Sequence, residues 1–204
     1  MPRVIPFVEC VARPDKGGKR FFLKDHLIRV THFAENWIES GDKVLRFLIG
    51  LACVCHDMIK AHIDWQKYIL HPDIKKGPTH APAGAFFFSY LGYQWLQRHA
   101  FWEQYRIAWL WLIRDIADHH GRLKSLNETH WIARVDWEKM DLNGIVSFLR
   151  EIYPEFNEIV ISEECLEDWL YEVDGLIDEV LDVLDQSFEN PDVRVLMKEL
   201  QSLG

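Results

Sequence analysis

VLRFLIGLACVCHDMIK, residues 44–60, is the stretch whose reading decides the architecture. Its apolar run to Val54 follows Gly41-Asp42, a helix start, and is rich in Leu, Phe and Ala, which predicts a buried helix. That helix closes on two metal-capable side chains in succession, His56 and Asp57, with Lys60 three residues on. A carboxylate at the end of a buried helix needs a partner, and a neutral imidazole beside it supplies no charge. A divalent cation would satisfy both. A water-exposed His-Asp pair at a helix end is the plainer alternative, so the remaining histidines have to decide.

Working outward, 204 residues are enough for one large domain with a sizeable core, and 49% hydrophobic content with nine Trp and twelve Phe excludes a disordered chain. No secretory leader is visible and the longest apolar run is too short to span a bilayer, so the expectation is a cytoplasmic protein with no membrane partner. Cys10, Cys53, Cys55 and Cys165 do not form a disulfide framework, and Cys53 and Cys55 read as small core residues. The net charge of −9 hides an asymmetry: up to Arg134 there are 19 Lys and Arg against 13 Asp and Glu, and beyond it 4 against 19. The basic part can attract phosphate, and the acidic part, residues 135–204, is expected to face away from such a substrate.

The periodicity is helical almost throughout. Residues 1–20 are expected to form a short irregular or extended lead-in through the turn-rich Pro14-Asp15-Lys16-Gly17-Gly18. Residues 23–40 carry Leu27, Val30, Phe33, Ala34, Trp37 and Ile38 at amphipathic spacing, with His26 leaning to the core side and His32 solvated. Residues 64–70 form a short helix ended at Pro72. His80 lies at the entrance of the next helix, with Thr79 as its cap, Pro82 in its first turn and small residues Ala81, Ala83, Gly84 and Ala85 allowing close approach to a neighbour. Residues 101–119 form a long apolar helix running into His119-His120, with Gly121 as its C-cap. Residues 122–140 are an excursion, and 142–153, 163–188 and 192–203 are three more helices. The 163–188 helix places Leu166, Leu170, Val173, Leu176, Ile177, Val180, Leu181 and Leu184 on one stripe, with solvated carboxylates elsewhere. No strand alternation stands out, so the fold class is all-α.

The metal-capable residues at helix ends or core faces are, in order, His26, His56-Asp57, His80 and His119-His120. Imidazoles suit Mn, Fe, Co, Ni, Cu and Zn, and five of them with a shared carboxylate are too many for one tetrahedral zinc, so two ions are implied. Two neighbouring metals serve phosphoester hydrolysis.

The order His…His-Asp…His…His-His resembles the HD-domain phosphohydrolase superfamily, and more narrowly the HD nuclease of CRISPR-associated type I interference systems. The pieces that carry the resemblance are LKDHLIRVTHFA, LACVCHDMIKAHIDWQKYIL, THAPAGA and IADHHG, which together cover about the first 125 residues. The resemblance implies an HD-domain-like helical bundle with a metal site between core helices, the whole of 1–204 being one HD-type nuclease domain. It implies that His26, His56 and Asp57 hold one divalent transition metal ion, that Asp57 bridges, and that His80, His119 and His120 hold the other; Mn, Fe, Co or Ni are the expected ions, with Mg as an alternative. Asp57 and Lys60 would be catalytic, Lys60 contacting the scissile phosphate, and Arg122 and Lys124, with Arg114, are candidate phosphate contacts. The implied activity is hydrolysis of single-stranded DNA, in partnership with a superfamily 2 helicase and an RNA-guided CRISPR surveillance complex. No Walker-type G-x-x-x-x-G-K occurs, so the motor would be fused downstream or separate.

Two departures stand out. The glycine usual before the lysine is Ile59 here, and the closing aspartate of the family has no evident match, Asp168 lying on the amphipathic helix 163–188. The chain is therefore expected to stop short of its closing ligand, with its C-terminus near His26. Two other functions remain open at this stage: an HD-type nucleotide phosphohydrolase with an enclosed pocket, and a non-catalytic metal-stabilised docking domain.

Overall fold

A computed structural model describes residues 4–38, 41–71, 73–74, 77–121 and 131–189. The described residues are mostly helical. A hairpin of β1 (Val11–Lys16) and β2 (Lys19–Phe22) is followed by α1 (Leu23–Trp37), α2 (Lys43–Cys55), α3 (Ile63–Leu70), α4 (Ala81–Arg98), α5 (Trp102–Asp118), α6 (Leu142–Ile152) and α7 (Glu163–Glu189). The lead-in expected to be irregular or extended is extended, and its pairing into a hairpin is what the absence of strand alternation did not foresee. Gly17 and Gly18, at φ 62° and 75°, form the two-residue loop between the paired Lys16 and Lys19, the left-handed backbone that a tight hairpin turn requires. Pro14 breaks strand alternation, and register irregularities fall between Val11, Arg13 and Lys16, which is why the periodicity did not read as a strand.

α2 is the centre of the bundle. Asp42 caps it, its Oδ1 accepting from the amides of Val44 (2.9 Å) and Leu45 (3.0 Å); such a cap is worth roughly 1 kcal/mol. Leu48, Leu51, Val54 and Cys55 are buried, and α2 packs on α1, α4 and α5. Gly84 on α4 is where helix spacing matters most, because a Cβ there would lie 2.8 Å from the Cys55 carbonyl oxygen and 3.0 Å from that of His56. The small-residue face of α4 thus brings the start of that helix against the end of α2. The cap of α4 is His80 rather than Thr79, and α5 ends with His119 as C-cap, Gly121 lying two residues beyond.

The apolar stripe of α7 joins the same core. Leu166, Trp169, Val173, Ile177, Val180 and Leu184 are buried in it with residues as distant as Phe7. Ser89 on α4 ties three helices: its carbonyl accepts from Trp109 Nε1 (2.9 Å) and its hydroxyl from Trp169 Nε1 (2.9 Å). The helix expected over 192–203 lies outside the described residues, as does any placement of the C-terminus. No helix among the described residues is long and apolar enough to cross a membrane.

Candidate metal centre

Helix ends deliver the site. His26 projects from α1, His56 and Asp57 follow the last turn of α2, His80 caps α4, and His119-His120 follow α5. All converge on the carboxylate of Asp57, which is 4% exposed. Its Oδ2 faces His26 Nε2 at 3.0 Å, His56 Nε2 at 3.3 Å and Lys60 Nζ at 2.7 Å. Its Oδ1 faces His80 Nε2 at 2.9 Å and His119 Nε2 at 3.6 Å. His120 completes that side, its Nε2 standing 2.8 Å from the Nε2 of His80. Two sets of donor atoms result, Asp57 with His80, His119 and His120, and Asp57 with His26 and His56, each set lying within 4.8 Å of itself.

The tautomers follow from the second nitrogen of two rings. His56 Nδ1 lies 2.6 Å from the Cys53 carbonyl oxygen and His119 Nδ1 2.6 Å from that of Ile116. A carbonyl oxygen only accepts, so each Nδ1 carries a hydrogen, and in the neutral ring Nε2 presents a lone pair toward the carboxylate. A carbonyl on one ring nitrogen is the usual orientation of a histidine whose other nitrogen binds a metal. The 3.6 Å separation of His119 Nε2 from Oδ1 is beyond hydrogen-bonding reach, and that nitrogen is a buried polar atom without a hydrogen-bond partner. An orphaned lone pair aimed at a carboxylate fits a cation between them, so these residues could hold a metal ion.

The electrostatics agree. Burial by itself would raise the Asp57 carboxyl; hydrogens donated by the imidazoles facing it would reverse this and hold it well below the usual carboxylate range, a role that a bound cation would take over from rings presenting lone pairs. Burial lowers His80, against the pull of Asp57, and lowers His120 to about 4, helped by the neighbouring His119 and His80. Those two rings are therefore neutral at pH 7, the form that ligates a metal.

Every sequence-predicted metal ligand reaches the cluster, and Lys60 joins it through an ion pair with Asp57. Arg122 and Lys124 lie outside the described residues. Arg114 is a correction: only 2% exposed, it packs against the Trp131 ring and pairs with Asp118 (Nε to Oδ2, 3.0 Å), which leaves it no route to a phosphate. Asp168 is exposed on α7 and belongs to neither donor set. His62 caps α3, its Nδ1 accepting from the Asp64 amide at 3.2 Å.

Two groups escaped the sequence reading. Gln66 is buried; its Oε1 accepts from the Val11 amide and its Nε2 donates to the Val11 carbonyl (2.9 Å each) and to the Lys60 carbonyl (2.7 Å). It locks the foot of the hairpin to the turn that carries Lys60. Gln66 stands within the LACVCHDMIKAHIDWQKYIL piece that carries the resemblance, but the sequence does not say what its side chain binds. The second group is the basic side chains of the hairpin, which border a cleft of about 310 Å³ opening onto His26, Asp57 and Lys60. A second cleft, of about 480 Å³, opens on the other side against His80 and His120 and is lined by Trp65, Pro78 and Ala117.

The site is thus a mostly helical scaffold's buried aspartate bracketed by five imidazoles. Comparison of the chain with protein-family models, with curated proteins and with solved structures finds no match.

Proposed function

We propose that the chain is an HD-domain-like, metal-dependent phosphodiesterase that cuts single-stranded DNA. The observation that carries this reading is the Asp57 carboxylate set between two groups of imidazole nitrogens, one of them the orphaned Nε2 of His119. His80, His119 and His120 with Asp57 would hold one ion and His26 and His56 with Asp57 the other. The imidazole-rich sets suit Mn, Fe, Co or Ni better than Mg. When bound, such a pair supplies an activated water and neutralises charge on the attacked phosphate. The carbonyls of Cys53 and Ile116 fix the rings of His56 and His119, and Gln66 fixes the turn of Lys60, whose ammonium would donate to a phosphate oxygen.

Clefts reach the cluster from two sides, which suits a strand passing through better than an enclosed nucleotide. The cytoplasmic setting in CRISPR interference, with a superfamily 2 helicase and an RNA-guided complex, rests on the motif order across residues 23–121.

The test is to incubate metal-stripped protein with circular single-stranded DNA and, separately, with nucleotides, adding Mn, Co, Ni or Mg one at a time. Cleavage of the circle is expected, and Asp57→Ala should reduce it by more than the roughly 100-fold that loss of an outer-shell partner costs, with helical circular dichroism retained. Wild-type cutting by Asp57→Ala, or hydrolysis of nucleotides alone, would overturn the reading.

A further inference from the structure

We infer that the cleft between the β1–β2 hairpin and α1 is a binding track for the phosphodiester backbone of a single nucleic-acid strand, feeding the Asp57 cluster. The inference rests on the phosphodiesterase reading and adds the surface that holds the substrate. Arg13, Lys19, Arg20, Arg29 and Lys60 line the cleft, against the carboxylates of Asp25 and Asp57. Asp57 and Lys60 pair with each other, which leaves Arg13, Lys19, Arg20 and Arg29 against the single carboxylate of Asp25. Lys19 and Arg29 are exposed and have no carboxylate partner among the described residues, and Arg20 has only a long, exposed contact with Asp15 at 3.9 Å. Unpaired cations gathered along one concave surface focus a field that concentrates anions.

The shape favours a strand over a single phosphate. On the ribbon Arg13 lies opposite Phe21, and Lys19 lies opposite Lys16 three residues further along, so at about 3.3 Å per residue its cations are spread over roughly 10 Å rather than gathered at a point. Phe21 and Phe22 line the same cleft, and the Arg13 guanidinium sits 3.7 Å over the Phe21 ring. Cations interleaved with aromatic rings are how proteins hold a single strand without reading its sequence, the former taking phosphates and the latter bases. Gln66 gives the track a fixed relation to the chemistry, because one amide side chain binds both Val11, where the ribbon starts, and the Lys60 carbonyl.

The experiment is fluorescence anisotropy with a labelled single-stranded DNA of about 12 nucleotides, within the site sizes of single-strand binders, in EDTA so that binding is measured without hydrolysis. Arg29→Glu and the double variant Lys19→Glu/Arg20→Glu alter exposed residues. Each is expected to weaken binding at least tenfold and to flatten the dependence of log affinity on log salt by roughly 0.7 for each phosphate no longer neutralised. Lys43→Glu, the same charge change at the far end of α2, is the control and should leave affinity within twofold. Equal binding by wild type and cleft variants, equal weakening by Lys43→Glu, or inorganic polyphosphate competing as well as DNA of equal charge would each overturn the track. Loss of hydrolysis with this binding pattern intact would sink the phosphodiesterase reading alone; hydrolysis with unaltered binding would sink the track alone.

Discussion

The two oxygens of Asp57 look into different surroundings. Oδ1 faces the imidazoles of His80 and His119, with His120 against His80, and through His80 and His120 a cleft walled by Trp65, Pro78 and Ala117. Oδ2 faces two imidazoles and an ammonium, and beyond them the cleft bordered by the hairpin cations. The first side offers four donors, with no ammonium or guanidinium paired to them on that side among the described residues. The second offers three, with Lys60 standing 2.7 Å from the shared oxygen and His26 35% exposed. One residue thus divides the site into a side whose four donors could hold a cation and a side that, on the function proposed above, would also meet the anionic substrate.

The sharpest way to break that contrast is metal titration. The stripped protein should take up one tight equivalent and one weaker one. His120→Ala should weaken the tight equivalent by more than about tenfold, and His26→Ala should weaken only the other; calorimetry showing both variants acting on the same equivalent would erase the distinction. Next in size is Lys60→Met. Removing an ammonium beside a divalent site relieves a repulsion worth about 1 kcal/mol or more, so the weaker equivalent should tighten several-fold while DNA cleavage falls. Cleavage and metal affinity falling together would show that Lys60 supports the metal side instead.

A smaller effect is expected where the two sides share a frame. Gly84→Ala forces a Cβ against the carbonyl oxygens of Cys55 and His56, an overpacking that costs about 1–3 kcal/mol, and should lower Tm by roughly 2–4 °C per kcal/mol. Both metal equivalents should weaken, because the end of α2 carries His56 and Asp57; an unchanged Tm would mean that α4 gives way freely. The faintest effect lies at the foot of the cationic side. Burial, with Asp141 and Glu9 adding to it, pushes the Cys10 thiol from 9.0 up to about 12. A thiol whose folded-state value is raised binds its proton more tightly folded than unfolded, so stability is full below the ordinary value and is lost as pH rises from 9 toward 12. Cys10→Ala should therefore flatten the decline of Tm over that window. A slope identical to wild type would remove Cys10 from the alkaline response.

The site was legible because its residues mark helix ends. His56-Asp57 ends the most apolar run in the chain, His80 precedes Ala81-Pro82, and His119-His120 precede Gly121; each junction carries a local signal of cap, proline or glycine. The hairpin was not legible, since Pro14 and two register irregularities remove the alternation by which strands are read. Its turn residues were visible, but turn chemistry alone does not say that the flanking segments pair. Arg114 looked like a phosphate contact because guanidinium groups suit that task. Its burial beside Asp118 and Trp131 follows from which face of α5 turns inward.

The sequence by itself determined the helical character of the chain, the buried run of α2 with its Asp42 cap, and the identity of the six side chains that meet. These depend on short-range terms: hydrophobic periodicity, capping, and the chemistry of imidazole and carboxylate. Only the tertiary structure decided which oxygen of Asp57 each histidine faces, that Gln66 ties the hairpin to Lys60, and that Arg13, Lys19, Arg20 and Arg29 line one cleft. Those arrangements depend on how closely α4 approaches α2 at Gly84 and on where the hairpin folds back. Contacts between residues tens of positions apart leave no periodic trace along the chain.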